Sequence, residues 1–528
     1  MTVNYYIRQL RIIVTIFPLC NFIFSFIPVR RYLDYSPWIH RVRSKSFLFV
    51  ILILFFLATN VISFFFYNHI PQGDAVVSYF QSKIFSNGSL SVPPPRYPEF
   101  FLREMVQHDG KWFSMVQPGH SLLLVPFLLI RLEWLSGPLI GVVSLVLFFL
   151  LLKNIFNENM AREGVLFLIL SPTFLFVSSS FLNQNSSSLF TLLGILFFSL
   201  SITTEKDFFP LLSGFFIGLA FFSRTTAALF FLPMIVILCI STKQRKWKTV
   251  LLFLFGLIPS LSLQFLSNLY YTGSAFRFAY SLHSESSLHA IGFGIGKGAA
   301  TYNIPGHTPL KALINLLYNI FVFSLHLFGW PLISLIFIPV VLVRWKKNIW
   351  ETFSLLVILS AVVFYSLYWF HGISPMGPKY YFEIIPFLVL LSVRGIRRLK
   401  IRPYVTILFF FTVFLYIPYG LRVFRGEWGT NPRCVEETKT HSLKDAIVFV
   451  RDLPGENEFE RTLNRHNYLS VGFRNNPLIG TSPIIFARDL GSVSNSLLLK
   501  EYPSRKPYLF EYSPGGTSWD LSEYDIKE

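Results

Sequence analysis

The chain has 528 residues, 53% of them hydrophobic, 18% aromatic and only 14% charged, which excludes a string of soluble domains and points to a polytopic membrane protein. The formal charge of +18 first suggests nucleic acid. From Leu421 onward, however, 14 Lys/Arg face 15 Asp/Glu, so the excess lies in the apolar part. Most of it sits in short loops between apolar runs, as the positive-inside rule requires, and nucleic acid is not an expected partner. Cys20, Cys239 and Cys434 are too scattered for a disulfide framework or a zinc site.

In chain order, residues 12–29 are apolar but contain Pro18 and Asn21 between flanking arginines, which predicts an in-plane cytoplasmic helix, with a membrane crossing as the alternative. Arg30, Arg31, Arg41, Arg43 and Lys45 precede the apolar run 46–66. That asymmetry puts residues 1–45 on the cytoplasmic side and the stretch 67–120 outside. Residues 121–131 are too short to cross and contain Pro126, so they read as a half-inserted element. Further crossings are expected at 139–153, 162–180, 187–204, 210–223, 227–241, 249–267, 313–343, 349–370, 381–393 and 403–420, about eleven in all with the first. Every loop this assigns inside is basic: Lys153 with Arg162, Lys206, Lys243–Lys248, Arg344–Lys347 and Arg394–Arg402. The run 313–343 is long for one crossing and can break at Phe328–Pro331. Beyond Leu421, "DAIVFV", "PIIFAR" and "KPYLFEY" between turn residues predict a small strand-containing extracytoplasmic domain, 421–528. The expected fold is an all-α polytopic membrane bundle over 46–420, with outer loops 67–120 and 268–312 and that domain at the end.

The first outer loop carries "GDAVVSYFQSKIFSNGSL" and "HDGKWFSMVQPGHSLLLVPFLL", in which Pro118-Gly119 marks a sharp re-entry. "SPTFLF", "GLAFFSRTTAALFFLP", "NLYYTGSAFRFAY", "GHTPLKALINLLYNIFVFSLHLFGWP" and "HGISPMGPKYYFEIIPFLVLL" follow. In this order, along most of 46–400, the segments resemble the GT-C superfamily of membrane glycosyltransferases, the group of protein O-mannosyltransferases and aminoarabinose transferases. The resemblance implies a bacterial inner-membrane enzyme that moves a sugar from a polyprenyl-phosphate donor to a glycan, lipid or protein acceptor on the outer face. Ala75 stands where many relatives have Glu, so Asp74 is the one carboxylate at the motif.

Chemistry gives Asp74 a reason of its own. Nucleotide sugars do not cross membranes, so transfer outside needs a lipid-borne donor with its phosphate at headgroup depth. A carboxylate there can take the proton of an acceptor hydroxyl. The leaving phosphate needs no acid, which makes one carboxylate sufficient, but it does need cations or donors; the transfer itself is expected to invert. Arg224, Lys379, His307 and Lys297 are the outer candidates. Each has a plainer reading. Asp74 can cap a helix, Asp109 is either a second acid or the turn residue of "HDG", Arg224 can snorkel, Lys379 can anchor at the interface, and His307 can be structural. No cofactor beyond the donor is expected, and a divalent metal held by Asp74, Asp109, His108, His120 and His307 has no spacing signature. "IGFGIGKG" lacks the preceding strand and full pattern of a phosphate loop. A flippase of lipid-linked glycans is the competing class, although its interrupted helices and mid-membrane charges are not evident. A scaffold, in which the bundle only anchors the tail, gives no reason to set Asp74 opposite outer cations.

Overall fold

The computed structural model describes residues 34–67, 70, 73–204, 206–241, 246–283, 291–294, 306–330, 334–343, 348–374, 377–425, 432–451, 468–512 and 519–525. The bundle opens with α1 (Ser44–Tyr67), followed by α2 (Gly73–Ser86), the hairpin β1–β2 (Met105–His108, Lys111–Ser114) and α3 (Pro118–Leu129). Then come α4 (Ser136–Ile155), α5 (Glu158–Ile169), α6 (Pro172–Ser178), α7 (Gln184–Thr204), α8 (Phe208–Ser223), α9 (Phe231–Ser241) and α10 (Lys246–Thr272). After these run α11 (Pro309–His326), α12 (Phe337–Val343), α13 (Ile349–Ser366), the two-residue strands β3 and β4 (Ile373–Ser374, Gly377–Pro378) and α14 (Ile385–Leu399). The bundle closes with α15 (Arg402–Phe411), which continues through a π turn into α16 (Ile417–Arg425).

Seven of the described helices are long and apolar enough to cross a membrane, eight if the bent pair α5–α6 is one span. The remaining expected crossings fall on shorter or broken apolar helices. Hydropathy counts apolar residues, about 20 for a crossing, and does not show where the helix breaks. The run 162–180 bends by 71°: Ser171 caps α6 by accepting from the Phe174 amide, and Pro172 at the first helical position starts a new axis. The runs at 210–223 and 227–241 form helices of only 16 and 11 residues, α8 and α9. The run 381–393 starts in a 3-10 turn, Lys379–Ile384, before the 15-residue α14. The run 313–343 divides into α11 and α12. Residues 12–29 lie outside the described residues.

Charge collects at the two ends of the bundle. At one end the fully buried Glu163 of α5 accepts from Arg397 Nε at 2.9 Å and Arg402 Nη2 at 3.0 Å. Glu351 of α13, also buried, accepts from Arg394 Nε and Arg398 Nη2, both at 2.7 Å. Arg162 donates to the carbonyls of Ile39 and Val42 at 2.6 and 2.8 Å. Two buried carboxylates thus hold four arginines of the 394–402 run, which satisfies charges that would be costly at the edge of an apolar bundle.

At the other end lies the C-terminal sheet of β5 (Ala446–Val450), β6 (Ile484–Arg488), β7 (Lys506–Tyr512) and β8 (Trp519–Glu523), in spatial order β6-β5-β7-β8. Central β5 pairs in parallel with β6 and β7, and all five of its residues are buried, which is why it reads as an unbroken apolar run. Antiparallel β8 closes the sheet. The sheet leans on the 67–120 stretch: the rings of Phe449 and Phe100 meet edge to face at 6.4 Å, and Arg96 pairs with Glu501 at 2.9 Å.

Candidate functional site

Asp74 lies in the first turn of α2, half-buried, where a carboxylate is favoured by the helix dipole. Ser78 Oγ donates to the Asp74 carbonyl at 2.6 Å. The hairpin and its approach pin the middle of the helix, because Gln81 Nε2 donates to the Leu90 carbonyl at 2.9 Å and Gln81 Oε1 accepts from the Ser114 amide at 2.9 Å. One helix turn thus presents Asp74 while the rest is tied into the fold.

Three tyrosines from different elements converge on that carboxylate. The Tyr280 phenol, from the 3-10 turn Ala279–Leu282, is held well above its ordinary range by burial, then by the negative charge of Asp74, to which it also hydrogen-bonds. Tyr368, just past α13, is pushed up to about 12 by burial and then by Asp74. Tyr380 is raised by burial, then by the neighbouring Tyr368 and by Asp74. All three are half-buried and stay protonated, so the carboxylate sits among phenols, of which Tyr280 hydrogen-bonds to it. The Tyr380 ring stacks on Tyr365 at 5.6 Å, and Tyr365 Oη donates to the Tyr380 carbonyl at 2.6 Å, which fixes the segment between β4 and α14.

Arg224 joins the same group. It follows the last residue of α8 in extended conformation, and its guanidinium lies 5.7 Å from the centre of the Tyr380 ring. Arg224 Nη1 donates to both Glu383 oxygens, at 2.7 and 2.8 Å, and Thr226 Oγ1 donates to Oε1 at 3.3 Å. The Arg224 and Glu383 side chains are 9% and 3% exposed, so this is a buried ion pair and its charge is already balanced. Close approach at this end depends on Gly119 near the start of α3: a Cβ there would stand 2.8 Å from the Phe222 carbonyl and the Ser223 amide. The "PG" of the re-entry motif therefore fits α3 against the end of α8, beside Arg224. Lys379, half-buried, opens the 3-10 turn that holds Tyr380 and Glu383.

A second acid stands near Asp74, though not the expected one. Glu104 precedes β1. Its Oε1 lies 3.5 Å from where a Gly73 side chain would begin, and its Oε2 is buried with no hydrogen-bond partner among the described residues. Burial, then the charge of Asp74, hold the Glu104 carboxyl above the usual range. Asp109 instead occupies the tip of the β1–β2 hairpin at φ 49°, 81% exposed, 3.9 Å from Lys111 Nζ. A short polar side chain tolerates that left-handed turn, and the hairpin gives this Asp its place.

His307 is buried, its Nε2–H donating to the Ser366 carbonyl at 2.8 Å and its ring beside Phe293 at 5.3 Å. It ties the approach to α11 to the end of α13. Lys297 lies outside the described residues. His120 is likewise engaged, with Nε2 2.8 Å from the Phe181 carbonyl and Nδ1 3.1 Å from Ser186 Oγ. Among the described residues no group of three or more His, Cys, Asp or Glu could hold a metal ion.

Of the residues expected from sequence, the structure gathers Asp74, Arg224 and the segment opened by Lys379, and leaves Asp109 and His307 apart. Sequence reasoning missed Glu104, Glu383, Tyr280, Tyr368 and Tyr380. A signal existed for Glu383, a carboxylate inside the apolar run "YYFEIIPFLVLL", which calls for a partner. The tyrosines gave none in a chain with 24 of them.

Residues 134–271 match the family described as dolichyl-phosphate-mannose-protein mannosyltransferase. The chain shares its fold with ArnT from Cupriavidus metallidurans. The crystal structure of that protein bound to undecaprenyl phosphate is 11% identical, with a TM-score of 0.50 over 88% of this chain and 89% of that one. Its apo structure gives 10% identity and a TM-score of 0.50 over 88% and 93%. The Archaeoglobus fulgidus oligosaccharyltransferase in complex with Zn and sulfate is 12% identical, with a TM-score of 0.47 over 90% and 73%. No curated protein matches the sequence.

Proposed function

We propose that the chain is an integral-membrane glycosyltransferase of the GT-C superfamily, working on the outer face of a bacterial inner membrane with a polyprenyl-phosphate sugar as donor. The observation that carries this reading is the convergence of Asp74, from the first outer loop, with Tyr280, Tyr368, Tyr380 and the Arg224–Glu383 pair at one end of an apolar bundle. The family match over 134–271 and the fold shared with a protein crystallised with undecaprenyl phosphate support it.

In the proposed reaction the acceptor oxygen attacks the anomeric carbon. Its proton passes to an Asp74 oxygen as the new C–O bond forms, and the bond to the phosphate oxygen breaks with its electron pair on the phosphate, inverting the centre. Tyr280 donates to Asp74, and Tyr368 and Tyr380 beside it are available to the sugar hydroxyls. Lys379 supplies charge to the leaving phosphate. Arg224, already neutralised by Glu383, orders the Tyr380 segment rather than binding phosphate by itself.

The two charged ends support the orientation we propose. Residues expected outside (Asp74, Arg224, Tyr280, Tyr380) share one end, and the basic loops expected inside are clasped by Glu163 and Glu351 at the other. The N-terminal segment is then cytoplasmic, and the C-terminal sheet extracytoplasmic. The test is mass spectrometry of envelope glycans and lipids with and without the gene. A sugar increment that disappears supports transfer, whereas intact lipid-linked glycan accumulating on the cytoplasmic side would replace this reading with a flippase.

A further inference from the structure

The charged group at the far end of α2 is unused by the proposed chemistry. Lys83 lies nine residues after Asp74, about 14 Å along the axis and two and a half turns round, on the opposite side of the helix. Its Nζ donates to three main-chain carbonyls of the C-terminal region: Asn475 at 2.7 Å, Phe473 at 3.2 Å and Arg474 at 3.3 Å. An ammonium has three donors, so none is left for a ligand, and the group is a tie rather than an anion site. One turn earlier on the same face, the Tyr79 ring meets Phe473 edge to face at 5.7 Å.

The tie continues into the sheet. Asn475 Nδ2 donates to the Phe486 carbonyl at 2.8 Å, and its Oδ1 accepts from the Phe486 amide at 2.9 Å, so residues 473–475 are fastened to β6. Three carbonyls converging on one ammonium add to the Gln81 bonds in setting the height and the rotation of α2. A rigid helix passes either change to Asp74 at its other end.

We propose that Lys83 is a positioning residue for Asp74, through which the C-terminal domain sets the placement of α2 in the site. This rests on the reading of Asp74 as the base. The consequence is that the domain is a working part of the enzyme, acting through α2.

The test uses the full chain in detergent and in cells lacking the gene, comparing Lys83→Met, Lys83→Arg, Asp74→Asn and a control at the same interface, Arg96→Ala, whose exposed pair with Glu501 is worth little. Hydrogen exchange over 73–86 reads placement without activity, and the restored sugar increment per folded molecule reads transfer. Lys83→Met is expected to speed exchange through to the Asp74 turn and to lower transfer by about tenfold to a hundredfold. Lys83→Arg, which keeps the charge but not three convergent donors, should fall between it and the wild type, and Arg96→Ala should match the wild type. Faster exchange confined to 473–475, with transfer and the Asp74 turn unchanged, would overturn the proposal. Should Lys83→Met not fold, the exchange pattern of Lys83→Arg decides in the same way. Normal transfer in Asp74→Asn would instead remove the reading of the base, and leaves the exchange result on Lys83 to stand alone.

Discussion

The Arg224–Glu383 pair decides whether Arg224 is a structural cation or one available to a phosphate, and its strength is measurable without substrate. Both side chains are almost fully buried, and a single guanidinium nitrogen reaches both carboxylate oxygens at 2.7 and 2.8 Å. Removing one member of such a pair leaves a buried uncompensated charge, at about 3–5 kcal/mol. Glu383→Ala should lose close to that. Glu383→Gln keeps an acceptor oxygen in place, and a hydrogen bond to a charged group recovers about 1.5–3 kcal/mol, so a net loss of about 2 kcal/mol is expected. Arg224→Met with Glu383→Leu removes both charges and should cost less than the sum of the single changes, by about 2 kcal/mol or more, roughly 30-fold in the folding equilibrium. The assay is a double-mutant cycle on denaturation in detergent. Additive single changes of under about 0.5 kcal/mol each would refute the pairing and return Arg224 to the phosphate.

Two further predictions concern the second acid and the orientation. Because burial and then Asp74 raise the Glu104 carboxyl, the folded state binds its proton more tightly than the unfolded chain; the stability this gives is complete below the unfolded value of about 4.3 and is lost as pH rises through the folded value. Glu104→Gln should therefore melt higher than the wild type toward neutral pH, the gap closing near pH 4, and parallel melting curves across that window would contradict the environment assigned to Glu104. Single cysteines at Gln107 and Leu478 should react with a membrane-impermeant thiol reagent applied outside, and one at Lys248 should not, in a chain freed of its own cysteines; labelling of Lys248 from outside would invert the proposed orientation.

The fold was legible where its cause is local. The basic cluster before residue 46 and the apolar run after it mark α1, and Pro118-Gly119 marks the start of α3. "HDG" reads as a turn because its geometry is set by three adjacent residues. Where the apolar runs break was not legible, because the break at Ser171-Pro172 leaves the run intact while turning its axis by 71°. The site divides in the same way. Asp74 is visible from its place just beyond a span, whereas Glu383 is 159 residues from the arginine it neutralises, and such pairs are fixed only by packing. Glu104 and Tyr280 reach Asp74 from separate stretches of chain for the same reason. The basic run 394–402 looked like free inner-surface charge, and only the fold reveals Glu163 and Glu351 beneath it.

The central claim is that Asp74 takes the proton of the acceptor hydroxyl, and Asp74→Asn tests it most directly. The amide keeps the shape and can still accept from Tyr280, so folding and abundance should be unchanged. An amide cannot take the proton, so transfer per folded molecule should fall by about 100-fold or more. Transfer at the wild-type rate by folded Asp74→Asn protein would contradict the account, and would leave Glu104 as the carboxyl to examine next.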